Sequence, residues 1–325
     1  MKKLNVLRCG DQYNWAYHFI SKEHDKYSRH NIIYAKHDEV KLDGIDLVYI
    51  HSPDITPNHA VKIPLEAKAR GIPVVGAYAG NPAYWNKHIK PIYSYYDLIV
   101  TISPQLYDFG MKNYDKDKVV FLPESVDTDF FNFEYKDNND FVVGWAGGFH
   151  KPIKRTGILA NIGYDVEIQD TWKEQRHSSN LDMKALEAMR DFYHSIDCLV
   201  VPSKSECMPR VVIEAMSCGK NVVATDVGGM QMLLHEDCIV PVDPDALVAS
   251  SMYTELTTLK SNAFYREMIA RRNRSHIERF FSWVTNAELW DNVFNLVAEK
   301  KYGEIKKITD NYLTPFKEMF KQENK

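Results

Sequence analysis

A chain of 325 residues has room for two domains of ordinary size, each able to bury its own core. Its formal net charge of −4 exerts no global pull toward nucleic acid, and no apolar run approaches the roughly 20 residues that span a bilayer. The five cysteines, Cys9, Cys198, Cys207, Cys218 and Cys238, include no C-x-x-C pair, and no secretory leader is expected after Met1, where polar Lys2 and Lys3 lead straight into a short strand. A soluble protein of a reducing, cytoplasmic compartment is the expectation.

Strands alternate with helices along the chain, the mark of a parallel α/β sheet. Residues 4–9 (LNVLRC) open as a strand, followed by a loop and a helix near 13–27. Further strands are expected at 31–35, 46–50, 73–77, 97–102 and 119–122. The polar run KDNND at 136–140 suits a linker, after which strands return at 141–146, 165–169, 198–201, 221–225 and 238–242. From about Asp245 onward the pattern is helical. The run Arg271 to Arg274 reads as a solvated helix face. The lysine-rich C-terminal stretch suits an amphipathic helix packed on the first domain, or an anionic membrane surface.

The stretch PSKSECMPRVVIEAMSCGKNVVATDVGG at 202–229 carries most of the chemistry. Two glutamates, Glu206 and Glu214, lie eight positions apart between two apolar strands. Pro209 suits the first position of a helix, where a missing N–H costs nothing, and Gly219 supplies its stop. Glu206 then sits in the loop at the carboxyl end of a strand, and Glu214 in the second turn of the helix. That edge of an open parallel sheet binds ligands, and N–H groups at a helix start favour an anion.

This block resembles the E-x7-E signature of the family 4 retaining glycosyltransferases, through Pro202, Ser203, Glu206, Glu214, Ala215, Gly219, Val222 to Thr225, Gly228 and Gly229. Ser217 and Asn221 replace a usual Ala and Pro. Residues 96–131 resemble the end of that family's first domain, with Val126, Asp127 and Phe131 in register. The FSW triplet at 281–283 resembles the motif before its last helices. The resemblance covers most of 96–290 and implies an α/β GT-B fold: two Rossmann-like domains whose parallel sheets face each other across a cleft. Domains at 1–135, completed by a C-terminal helix over about 287–325, and at 136–286 are expected.

By the same resemblance, Glu206 faces the donor sugar and Glu214 holds the ribose hydroxyls, for a carboxylate accepts from two vicinal hydroxyls. The family's Arg–Lys pair on the donor diphosphate maps to Gly148 and Lys154, so the arginine is missing. Lys151 and Arg155 are nearby substitutes, and Gly147 with Gly148 lets backbone approach a ligand. Met208, Pro209 and Arg210 begin the helix that would share the anionic charge. Around the acceptor, Asp11, Trp15, His51, Tyr78 and Asn81 are candidates, although the histidine many members carry after the fourth strand is absent here. Asp11, His18 and His51 match no metal-ligand spacing, and the resemblance implies neither a metal nor a cofactor beyond the nucleotide-sugar donor. The implied reaction moves a sugar from a nucleotide-diphosphate donor to an acceptor hydroxyl on a glycan, lipid-linked carrier, protein or nucleic acid. A nucleotide-sugar-binding protein with weakened turnover is the alternative, and an epimerase a more distant one.

Overall fold

The computed structural model describes residues 2–11, 13, 16–52, 57–80, 87, 89–114, 116–135, 140–170 and 182–322. The candidates Trp15 and Asn81, and Lys136 to Asn139 of the polar run, lie outside them. The chain divides into two compact units, one of Met1–Glu124 with Thr285–Lys325, the other of Ser125–Val284.

In the first unit six strands, β1 (Asn5–Gly10), β2 (Asn31–Lys36), β3 (Leu47–His51), β4 (Val74–Tyr78), β5 (Leu98–Thr101) and β6 (Val119–Phe121), form one sheet in the order β2-β1-β3-β4-β5-β6. Every pairing is parallel. Such strands are covered on both faces, and β3, β4, β5 and β6 are buried throughout. The helices α1 (Ala16–Tyr27), α2 (Pro57–Ala69) and α3 (Pro104–Asn113) link the strands. The helix expected from residue 13 begins at Ala16. Local sequence sets the start of α3: Ser103 caps it by accepting the Leu106 N–H, and Pro104 follows at the first helical position.

The second unit repeats the design with five parallel strands, β7 (Val143–Gly147), β8 (Val166–Asp170), β9 (Cys198–Val201), β10 (Asn221–Thr225) and β11 (Ile239–Val240). Their order is β11-β10-β9-β7-β8. The last strand is shorter than residues 238–242 suggest: Cys238 closes a 3-10 turn, and Pro241, with no N–H to donate, ends the ladder. The helices here are α4 (Asp182–Ser195), α5 (Arg210–Ser217), the single turn α6 (Met230–Leu233), α7 (Asp245–Ser261) and α8 (Ala263–Phe280). In both sheets the order reverses beside the opening strand, between β1 and β3 and between β7 and β9. At such a switch point the connections leave in opposite directions and open a crevice at the strands' carboxyl ends.

The chain passes back to the first unit within α9 (Trp283–Ala298) and ends in α10 (Tyr302–Gln322). Asp291 anchors α9 by accepting the Ser28 hydroxyl at 2.5 Å and the Arg29 N–H at 2.8 Å. Tyr107 on α3 donates to Asp310 on α10 at 2.7 Å. No helix among the described residues is long and apolar enough to cross a membrane. Four cysteines are buried and Cys207 is half-buried, all as free thiols. Because Asp291 is 1% exposed and loses two charged-acceptor bonds, Asp291→Ala should destabilise the first unit by roughly 2–4 kcal/mol. Denaturant unfolding of the full chain measures this, and an unmoved first-unit transition would exclude the anchoring role.

Candidate functional site

The carboxyl ends of β7 and β9 flank the switch point of the second sheet, and the chain chemistry converges there. After β9 the loop 202–209 leads into α5, which starts at Arg210 with Pro209 as its cap residue, one position later than its sequence suggests. Glu206 lies in that loop. Its Oε1 accepts from Lys154 Nζ at 2.6 Å and from the Ser203 hydroxyl at 2.7 Å. Its second oxygen accepts no hydrogen bond among the described residues. Glu214, one turn into α5, is 4% exposed and has a donor on each oxygen. Arg210 Nε reaches Oε1 at 2.6 Å, and the Tyr193 hydroxyl on α4 reaches Oε2 at 2.8 Å. Burial pushes the Glu214 carboxyl above the usual carboxylate range, against the opposing pull of Arg210 and Tyr193.

Three basic residues follow β7, and the structure gives each a different position. Lys151 is exposed, and its side-chain carbons lie 3.5–3.6 Å from where a Cβ on Gly148 would stand. Lys154 ends a 3-10 turn and pairs with Glu206. Arg155 is buried, with a left-handed backbone at φ +49°. Its guanidinium donates to the carbonyls of Pro202 at 2.6 Å, Val242 at 2.7 Å and Ser203 at 3.3 Å, and to Asp245 at 3.0 Å. Arg155 is thereby a brace for two loops, with its donors turned to backbone.

The rest of the loop is held from behind. The Lys204 N–H donates to the Ile153 carbonyl at 2.8 Å, and the Thr225 hydroxyl to the Ser203 carbonyl at 2.5 Å. Gly228 has φ +59°, and a Cβ there would collide with the carbonyl oxygens of Glu206 and Cys207. Gly229 donates its N–H to the Cys207 carbonyl at 2.7 Å. The glycine pair serves as a backbone floor under the glutamate loop. Met208 is buried against Gly229. Gly147 has φ +155°, so a side chain at that position would strain the backbone, whereas Gly148 carries no such restriction.

In the first unit the candidates stand near the β1/β3 switch point. His51 ends β3, is 3% exposed and stacks on Tyr17 with ring centres 4.5 Å apart. Its Nε2 accepts from Arg8 Nε at 3.1 Å, and Arg8 Nη1 lies 2.9 Å from His24 Nδ1. The Arg8 guanidinium is buried over the rings of Tyr49 and Trp290, at 4.6 and 5.4 Å. Burial first, then the adjacent Arg8 charge, holds both histidines well below the ordinary value, so they are neutral acceptors. Asp11 is half-buried after β1, and Tyr78 is fully buried at the end of β4. Tyr193 escapes sequence reading, and Ser203 and Thr225 are legible only as positions of the motif, because none stands at a spacing that signals its partner. The Ser203–Glu206 step of three residues is the nearest such signal.

Comparison with known proteins bears on the fold. Residues 162–253 match the family model described as glycosyl transferases group 1. Over 158 residues the chain is 36% identical to a D-inositol 3-phosphate glycosyltransferase of Salinispora tropica, covering 48% of this chain and 30% of that protein. An uncharacterized glycosyltransferase of Methanocaldococcus jannaschii is 28% identical over 117 residues, 35% of this chain and 29% of the relative. The chain spans just under a third of the length of these relatives. Anabaena HepE, solved in complex with UDP-glucose, superposes with a TM-score of 0.70 at 15% identity, over 90% of this chain and 99% of its own. A glycosyltransferase from Rickettsia africae gives 0.64 at 14%, over 95% and 99%. The fold is GT-B.

The contrast between adjacent basic residues is testable. Arg155→Met orphans buried carbonyls at about 1–3 kcal/mol each, so the second unit should lose roughly 3 kcal/mol or more of stability. Lys154→Met should leave that unfolding transition within about 1 kcal/mol of the parent, because its partner Glu206 keeps Ser203 and access to water. Equal transitions for the parent and Arg155→Met in denaturant titrations would rule out the bracing role.

Proposed function

We propose that the chain is a retaining glycosyltransferase that moves a sugar from a nucleotide-diphosphate donor to an acceptor hydroxyl. The observation that carries this reading is the pair of glutamates on one loop–helix unit at the sheet's switch point, each held by its own cation. Support comes from the group 1 match, and from the fold shared with HepE, solved with UDP and with UDP-glucose. The curated relatives are named as sugar transferases.

In this reading the family 4 signature applies residue by residue. Glu214 takes the ribose hydroxyls of the donor, and Glu206 presents its open oxygen to the donor sugar. Lys154 turns from Glu206 to the diphosphate and stabilises the charge that grows as the glycosidic bond breaks. Lys151 and the N–H groups at the start of α5, near Met208 and Arg210, share that charge, so the transfer runs without a resident metal. Gly147 and Gly148 admit the diphosphate close to backbone. Arg155 has no place in this set, since its donors brace the loops. The acceptor hydroxyl attacks the anomeric carbon from the face the diphosphate leaves and passes its proton to the departing diphosphate; Asp11, His51 and Tyr78, at strand ends of the first unit, are the acceptor candidates, with His51 Nε2 already held by Arg8.

A panel of nucleotide sugars, assayed for released nucleoside diphosphate with and without cell extract, tests the activity. Glu206→Gln should keep nucleoside diphosphate affinity within about twofold and lose transfer, because a lone group acting on the transition state changes rate more than binding. Near-parental turnover of that variant would sink the assignment. Lys154→Ala should cut turnover at least about tenfold, equivalent to roughly 1.4 kcal/mol of barrier, while Arg272→Ala on α8 should not. NMR of the product's anomeric configuration decides the stereochemistry, and an inverted linkage would remove the retaining mechanism.

A further inference from the structure

Glu214 has one donor on each carboxylate oxygen, and the two donors differ in kind. Arg210 lies one turn earlier on the same helix, with a side chain 14% exposed. Tyr193 comes from α4 and is fully buried, its ring between Phe131 and Phe192 at 6.1 and 5.7 Å. The core therefore sets where the Tyr193 hydroxyl stands, whatever occupies the site. Burial and the neighbouring Glu214 hold that hydroxyl well above its ordinary value, so it remains a donor at any working pH. Each carboxylate oxygen has two lone pairs. With one taken on each by Arg210 and Tyr193, one acceptor direction per oxygen remains, the pattern that fits two neighbouring hydroxyls.

We infer that Tyr193 is the positioning residue for Glu214: it fixes the carboxylate so that its remaining lone pairs meet a vicinal diol, and so makes the site select ribonucleotides over 2′-deoxyribonucleotides. This rests on the reading that Glu214 takes the donor ribose. A tyrosine that merely fills the core would affect stability and leave the choice between the two sugars unchanged. The ionisable groups around the carboxyl are Arg210 on its own helix, Tyr193 on α4 and Cys218 at the end of α5. Of these, Tyr193 and Arg210 favour the charged form. Removing the Tyr193 hydroxyl should therefore raise the Glu214 carboxyl further, and a diol that needs the carboxylate should be released at a higher pH as the pH falls.

Calorimetry on the full chain tests this with UDP, GDP or ADP, whichever the parent binds most tightly, and with its 2′-deoxy form, between pH 6 and 8.5. The parent should prefer the ribonucleotide by about tenfold, the scale of one lost hydrogen bond to a charged group. Glu214→Ala should abolish that preference. Tyr193→Phe should reduce it to about threefold or less, leave the 2′-deoxy affinity nearly unchanged and move the acid loss of ribonucleotide binding to higher pH. Site-specific 3-fluorotyrosine at position 193 keeps the ring and offers a stronger donor, so it should move that loss to lower pH; it serves if Tyr193→Phe fails to fold. A Tyr193→Phe protein with parental selectivity and pH profile, beside a Glu214→Ala protein that has lost selectivity, overturns the role of Tyr193 alone. A parent with no ribose preference, or no nucleotide binding, overturns the ribose reading of Glu214 and this inference with it.

Discussion

The buried guanidinium of Arg155 donates to the carbonyls of Pro202 and Ser203 on one loop and to that of Val242 on another. Its acidic neighbours Asp243 and Asp245 are mostly exposed and add little in high dielectric. The backbone bonds offset most of what it costs to take this charge out of water. Because Arg155 turns inward at a left-handed backbone position, the preceding residue, Lys154, is left beside the glutamate loop. A single buried cation thus holds the shape of the loop and leaves the neighbouring cation beside Glu206.

Ser203 links this brace to the reactive edge. Its carbonyl is held by Arg155 and Thr225, and its hydroxyl donates to Glu206. Two carboxylates on one loop–helix unit consequently live in different environments. Glu206 keeps an oxygen without a donor among the described residues, whereas Glu214 is fixed by one donor on each oxygen. An open carboxylate suits a group that engages a changing centre. One held from both sides suits a fixed contact, since its geometry is determined before any ligand arrives.

The first unit contains its own buried guanidinium and satisfies it differently. Arg8 lies between two neutral imidazoles and two aromatic faces, one of them Trp290 from α9. Aromatic faces attract a cation without demanding a counter-charge, and the Tyr49 and Glu124 side chains also favour its charged form against the effect of burial. His51 stands at the strand end where a ligand group is expected, yet its Nε2 is already occupied by Arg8.

Much of this was legible in the residues themselves, because strand periodicity, helix capping and turn chemistry act over a few neighbouring positions. The alternation of strands and helices, and the glutamates on a loop and the helix after it, follow from such local rules. The sheet order and the brevity of β11 needed the folded chain. Lys154 and Arg155 are adjacent basic residues that the resemblance alone ranks, and only their partners show that Arg155 is the brace. Arg155 meets Val242 across 87 positions, and Tyr193 meets Glu214 across 21. Partners at such separations are brought together by sheet order and helix packing, which no local pattern encodes. The sequence by itself determined which groups could do the chemistry; the tertiary structure decided which of them brace the site and which face it, because burial and distance exist only once the sheets have formed.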